Sequence, residues 1–125
     1  MPQHSTAVLI VDDDEELTHS LARLLLKWGC VEVRSVHSAA AALQSAIEFS
    51  PGIVLLDIDL PDMSGYRLAR LLHQHPHLQN IRLIALTDSG DHPGREHARA
   101  SGFERYLVKP ITAVALREIL DSPIN

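Results

Sequence analysis

Five short strand-like runs, apolar or alternating, constrain this chain more than any other feature. Ala7 to Val11, Val31 to Val36, Ile53 to Leu56, Ile81 to Leu86 and Tyr106 to Val108 recur at near-regular spacing, with no sequence repeat between them. The first and third are continuous and partly β-branched, the pattern of strands covered on both faces. Each run is followed by apolar residues at helical spacing. Leu17, Leu21, Leu24, Leu25 and Trp28 follow the first, and Gly29 stands where that helix stops. Ser38 is placed to cap a helix carrying Leu43, Ala46 and Ile47, which Ser50-Pro51-Gly52 ends. Leu68, Leu71 and Leu72 mark a third helix. Ala98 belongs to a fourth, which Pro93 is placed to begin and Gly102 to end. A fifth spans Thr112 to Leu120. Strand alternating with helix predicts a doubly wound α/β fold, a five-stranded parallel sheet with helices on both faces.

The remaining composition narrows the function. At 125 residues the chain is expected to be one domain over 1–125, so any sensor or output module lies outside it. A formal charge of −5, with Lys and Arg scattered, argues against direct nucleic-acid binding, which needs a basic stripe. No apolar run approaches the ~20 residues that span a bilayer, so no membrane insertion is expected. The start, Met1-Pro2-Gln3-His4, lacks the basic and apolar regions of a signal peptide, and Cys30 has no internal partner. The expected location is cytoplasmic.

In doubly wound sheets, ligands bind beyond the carboxyl ends of the strands, where strand order reverses. Asp12 and Asp13 follow the first strand, Asp57 the third, Thr87 the fourth and Lys109 the fifth. For the strand order 2-1-3-4-5, the first and third strands are neighbours and the three carboxylates share one pocket. Their mutual repulsion calls for protonation or a cation, and an all-oxygen acidic site selects a hard one, Mg2+ before others. Mg2+ commonly joins carboxylates to a phosphate oxygen, and a carboxylate can attack phosphorus to give an aspartyl phosphate. Asp57 is the predicted acceptor. Thr87 is placed to donate its hydroxyl to a phosphoryl oxygen, and Lys109 to offset charge developing during transfer. Each residue alone has a plainer reading, since an Asp after a strand is often a helix cap and a Lys is usually a solvated surface group. Their coincidence at one sheet edge favours the shared site.

The stretches Leu9 to Leu17 (LIVDDDEEL), Leu55 to Tyr66 (LLDIDLPDMSGY), Ile84 to Thr87 (IALT) and Tyr106 to Ile111 (YLVKPI) resemble, in order and spacing, the receiver domain of two-component response regulators. The resemblance runs from about Val8 to Leu120 and implies the (βα)5 flavodoxin-like order 2-1-3-4-5. It implies that Asp57 takes a phosphoryl group from a phosphohistidine on a histidine kinase or histidine phosphotransfer domain. The domain would catalyse only its own phosphorylation and dephosphorylation. Asp13 and Asp57 would ligate Mg2+ directly, Asp12 through water, and Asp59 through its backbone carbonyl. Tyr106 would swing inward as Thr87 moves, and Lys109-Pro110 would be cis. The surface of the fourth helix, fifth strand and fifth helix would meet the partner, a homodimer being one form of that contact. The stretch Ala85 to Pro110 is most similar to receivers attached to hybrid histidine kinases.

One position departs from the family pattern: Asp88 follows Thr87 where Ala or Gly is usual. An anionic side chain there is expected to slow small phosphodonors and raise dependence on a cognate partner. Asp62 reads as a turn residue. His73, His75 and His77 have i, i+2 spacing around Pro76, which does not gather imidazoles on one helical face. Trp28 reads as packing at a helix end, and Cys30 as buried.

Two other functions compete. Asp57-x-Asp59 resembles the nucleophile and acid pair of haloacid dehalogenase-type phosphatases, but that motif normally lies near the N-terminus and Pro61 stands where Thr or Val is usual. The other is a receiver-like interaction module that is never phosphorylated, against which all five site residues argue.

Overall fold

The computed structural model describes residues 6–88 and 92–121. Its elements alternate: β1 (Ala7–Val11), α1 (Glu15–Lys27), β2 (Glu32–Val36), α2 (Ala39–Phe49), β3 (Ile53–Asp57), α3 (Gly65–Gln74), a 3-10 turn (Pro76–Leu78), β4 (Arg82–Thr87), α4 (His92–Ala100), β5 (Arg105–Val108) and α5 (Ala113–Asp121). All strand pairings are parallel and the sheet order is β2-β1-β3-β4-β5.

Side chains alternate along each strand, so one sheet feeds two cores. Val8, Ile10, Ile53, Leu55, Ile84 and Leu86 pack with Leu21 and Leu25 of α1 and with Leu116 and Ile119 of α5. Leu9, Val11, Val54, Leu56, Leu83 and Ala85 pack on the other face with residues of α2 and α3 and with Ala98 of α4. The central strands β1, β3 and β4 are almost wholly buried, and the edge strand β2 is half-buried throughout. Glu32 and Arg34 pair along that edge at 2.7 Å, putting charge where another strand would otherwise add.

Local chemistry sets the element boundaries. The Asp14 side chain accepts from Leu17 N and caps α1, and Gly29, at φ +96°, turns the chain after that helix. Ser50, at φ 47°, closes α2, and the Thr112 hydroxyl accepts from Ala115 N at the start of α5. β4 begins at Arg82 rather than Ile81, and β5 at Arg105 rather than Tyr106. The β3–β4 ladder opens with Arg82 opposite Ile53, leaving Ile81 outside it, and Arg105 is drawn into the next ladder opposite Ile84. α4 starts at His92, one residue ahead of Pro93, whose side chain lies outside the described residues.

Candidate functional site

Parallel strands put all their carboxyl ends on one edge, and the topology reverses between β1 and β3. Asp12 follows β1 and is wholly buried, with its backbone N–H donating to Val36 O at 3.2 Å. Its Oδ1 accepts from Asp14 N at 2.9 Å. Because Asp14 caps α1, neither Asp12 nor Asp13 is consumed as the cap. Asp57 is the last residue of β3, 4% exposed, and its Oδ1 accepts from Asp59 N at 3.2 Å.

Lys109 reaches into this cluster from the end of β5. Its Nζ lies 2.7 Å from Asp12 Oδ2 and 3.7 Å from Asp57 Oδ1. The Asp12 contact is a close ion pair on a wholly buried carboxylate. Burial works against the Lys109 ammonium, but the bond to Asp12 and the charges of Asp57, Asp12 and Asp88 outweigh it and raise its pKa above the ordinary value. Burial pushes the Asp57 carboxyl from 3.8 up to about 6, and the Asp12 charge adds to that. The Asp59 N–H and the Lys109 ammonium work against it.

Ligand atoms of Asp12, Asp13 and Asp57 all lie within 4.8 Å of one another, the one such group among the described residues. Three carboxylates facing one ammonium leave two negative charges, and Asp12 Oδ2, wholly buried, is met by the Lys109 ammonium. This donor set is hard and all-oxygen, and it fits Mg2+.

The other residues singled out in the sequence fall around this cluster. Thr87 ends β4, buried, and its carbonyl accepts from Lys109 N at 2.7 Å. The Lys109–Pro110 peptide is cis. Asp88 is exposed at the rim. Asp59 is exposed, and it pairs with Ser64 in an isolated antiparallel bridge that folds the loop after β3 back on itself. Gly65 closes that loop: a Cβ there would come within 2.7 Å of Ile58 Cα and closer still to the Asp57 carbonyl. Tyr106 stands farther off, half-buried on β5, in a groove of about 450 Å³ between α4 and α5 that Ala98, Phe103 and Ile119 also line. His73 and His75 make separate contacts, His73 Nε2 lying 3.3 Å from Ile81 O while His75 Nδ1 accepts from His77 N.

Asp62 is the residue that sequence reasoning missed. Rather than a local turn residue, it caps α2 across the chain, with Oδ1 accepting from Ala39 N at 2.9 Å and Oδ2 from Ala40 N at 3.2 Å. These bonds hold its carboxyl below the ordinary carboxylate range. The signal was indirect: α2 opens Ala39-Ala40-Ala41, with no acidic residue of its own in the first turn.

No helix among the described residues is long and apolar enough to cross a membrane. The model of the response regulator receiver domain matches residues 8–121. The polar-differentiation response regulator DivK of Brucella ovis is 34% identical over 116 residues, covering 93% of this chain and 94% of DivK. The transcriptional regulatory protein GltR of Pseudomonas aeruginosa is also 34% identical, over 96% of this chain, which spans only 48% of GltR. Among solved structures, the chemotaxis protein CheY4 of Vibrio cholerae superposes with a TM-score of 0.86 over 91% of this chain and 94% of its own, at 23% identity, a likeness of fold. The receiver domain of a sensor histidine kinase from Pseudomonas aeruginosa PAO1, solved with magnesium coordinated in its active-site cleft, superposes with a TM-score of 0.82 at 27% identity, covering 92% of this chain and 93% of its own. With the family model matched over nearly its whole length and the acidic cluster at the β1–β3 crevice, this chain belongs to the response regulator receiver domains.

Proposed function

We propose that the chain is a phosphoacceptor switch, charged on Asp57 by a phosphohistidine of a histidine kinase or histidine phosphotransfer domain. The observation that carries this reading is the convergence of Asp12, Asp13 and Asp57 on one point with Lys109 beside them. An Asp57 carboxylate oxygen attacks phosphorus in line; the O–P bond forms as the P–N bond to the donor imidazole breaks, and the imidazole leaves with the N–P electron pair. Asp13 and Asp57 would hold Mg2+ directly, Asp12 through water and Asp59 through its carbonyl, and the ion would supply charge compensation for the phosphoryl oxygens.

Lys109 starts on Asp12 and within 3.7 Å of Asp57, so a short swing brings its ammonium to a phosphoryl oxygen. Thr87 donates its hydroxyl to another. Drawing Thr87 toward the phosphoryl group biases Tyr106 inward, altering the groove between α4 and α5 that a partner or a second copy of the chain reads. Asp88, at the rim and near enough to act on Lys109, disfavours small anionic donors.

The test is intact mass after incubation with Mg2+ and a small phosphodonor. One stoichiometric phosphate is expected, absent with a chelator and absent in Asp57→Asn. No adduct under any donor, a kinase included, would leave an interaction module, and repeated turnover of a phosphate ester would point to a phosphatase. In the same assay, Asp88→Ala is expected to gain phosphate faster from the small donor. An unchanged rate would remove Asp88 from the mechanism.

A further inference from the structure

The loop from Ile58 to Ser64 carries the Asp59 backbone that the proposed reading assigns to the metal, so whatever fixes this loop fixes that ligand. On its inner side, the Asp59–Ser64 bridge and the bond from Gly65 N to Ile58 O, 2.7 Å, close the loop on itself. On its outer side, Asp62 bonds to the N–H groups of Ala39 and Ala40. Ser38 Oγ takes Ala41 N at 3.2 Å and its carbonyl takes Ala42 N at 3.0 Å. The three N–H groups of the first turn of α2, on Ala39, Ala40 and Ala41, are therefore occupied, two of them by this loop. With no acid in its own first turn, α2 receives from Asp62 the anion that complements its dipole.

The corner between β2 and α2 also reaches the opposite wall of the pocket. Asp12 N donates to Val36 O, just ahead of α2, and His37 Nε2 lies 3.3 Å from Thr18 Oγ1 on α1. One corner is thus bonded to Asp12 on one side and to the loop after Asp57 on the other.

We propose that Asp62 is a positioning residue for the metal site, clamping the β3–α3 loop onto α2 so that the Asp59 backbone is held in register with the Asp12, Asp13 and Asp57 carboxylates before a cation arrives. This rests on the reading of the site as a metal-dependent phosphoacceptor. Asp62 is exposed and distinct from the ligand set, so it acts through the loop.

The test measures Mn2+ affinity of the full chain by electron paramagnetic resonance of the free ion, with the thermal midpoint recorded alongside. Asp62→Ala is expected to weaken Mn2+ binding on the order of tenfold. Asp62→Asn, whose amide oxygen still accepts a bond, should fall between Asp62→Ala and the parent chain. Ser38→Ala removes the local cap of α2 without touching the loop; it is expected to lower the thermal midpoint and leave Mn2+ affinity unchanged. Parent-like affinity in Asp62→Ala overturns the proposal, as does equal weakening by Ala and Asn, which would reduce the effect to charge. Equal weakening by Ser38→Ala would reduce it to helix stability and overturn it too. A parent chain that takes up no Mn2+ defeats the metal-site reading itself, and this inference with it.

Discussion

Asp57 sits in tension with its surroundings. Burial and the neighbouring Asp12 charge favour its protonated form, and the folded pKa of about 6 exceeds the ordinary 3.8. The folded chain therefore holds this proton more tightly than the unfolded chain. The stability this supplies is complete below the unfolded pKa and is lost as pH rises through the folded one. Above pH 6 the metal-free protein bears an ionised, nearly buried carboxylate at a cost of about 1–3 kcal/mol. Asp57→Asn is accordingly expected to raise the thermal midpoint near pH 7.5 without divalent metal, with the gain shrinking toward pH 4. Mg2+ should raise the midpoint of the parent chain at pH 7.5 more than that of the variant, because the ion relieves the repulsion that the substitution has already removed. Melting curves across pH, with and without chelator, decide it; a variant less stable than the parent at pH 7.5 in chelator would mean that the Asp59 N–H and Lys109 dominate.

At the scale of elements, the strand ends and the loops that leave them were not equally legible. β1 and β3 stand out because buried parallel strands are continuous apolar runs, and a carboxylate directly after such a run is placed by the sheet itself. Asp12, Asp57 and Lys109 could therefore be brought together from the sequence and a strand order. Arg105 hid the start of β5, since a charged residue reads as outside a strand until its neighbour in register is known, while Ile81 drew the start of β4 one residue early because an apolar residue ahead of a strand reads as part of it. Asp62 was opaque for a different reason. Its partners lie on α2, a separation of 23 residues, and no local pattern announces a cap supplied from elsewhere. Gly65 closes the same loop. Its hydrogen faces the Asp57 carbonyl and Ile58 Cα, both backbone atoms that cannot yield as a flexible side chain would. Gly65→Ala is expected to cost about 2 kcal/mol or more by thermal unfolding and to weaken Mn2+ binding, because the loop must open to admit the methyl group. A variant with parent-like stability and affinity would mean the loop shifts freely.

Across the whole molecule, chemistry and reinforcement occupy opposite edges of one sheet. The carboxyl edge gathers three carboxylates against one ammonium, an excess of negative charge that a cation would relieve. The amino edge carries a forked ion pair, Arg82 Nε to Glu104 Oε1 at 2.9 Å and Arg82 Nη2 to Glu104 Oε2 at 2.8 Å, joining the start of β4 to the approach of β5. The Arg82 side chain is only 7% exposed, so its guanidinium depends on that partner. Glu104→Ala would leave a buried cation without its carboxylate, at an expected cost of about 1–3 kcal/mol and a correspondingly lower thermal midpoint. That loss lies at the amino edge, across the sheet from the acidic cluster. Below the transition temperature, Mn2+ affinity and the rate of Mg2+-dependent phosphate uptake should therefore match the parent chain. If Glu104→Ala instead weakens metal binding in proportion to stability, the strands transmit strain from edge to edge, and the carboxyl-edge site is not preorganised by its own bonds.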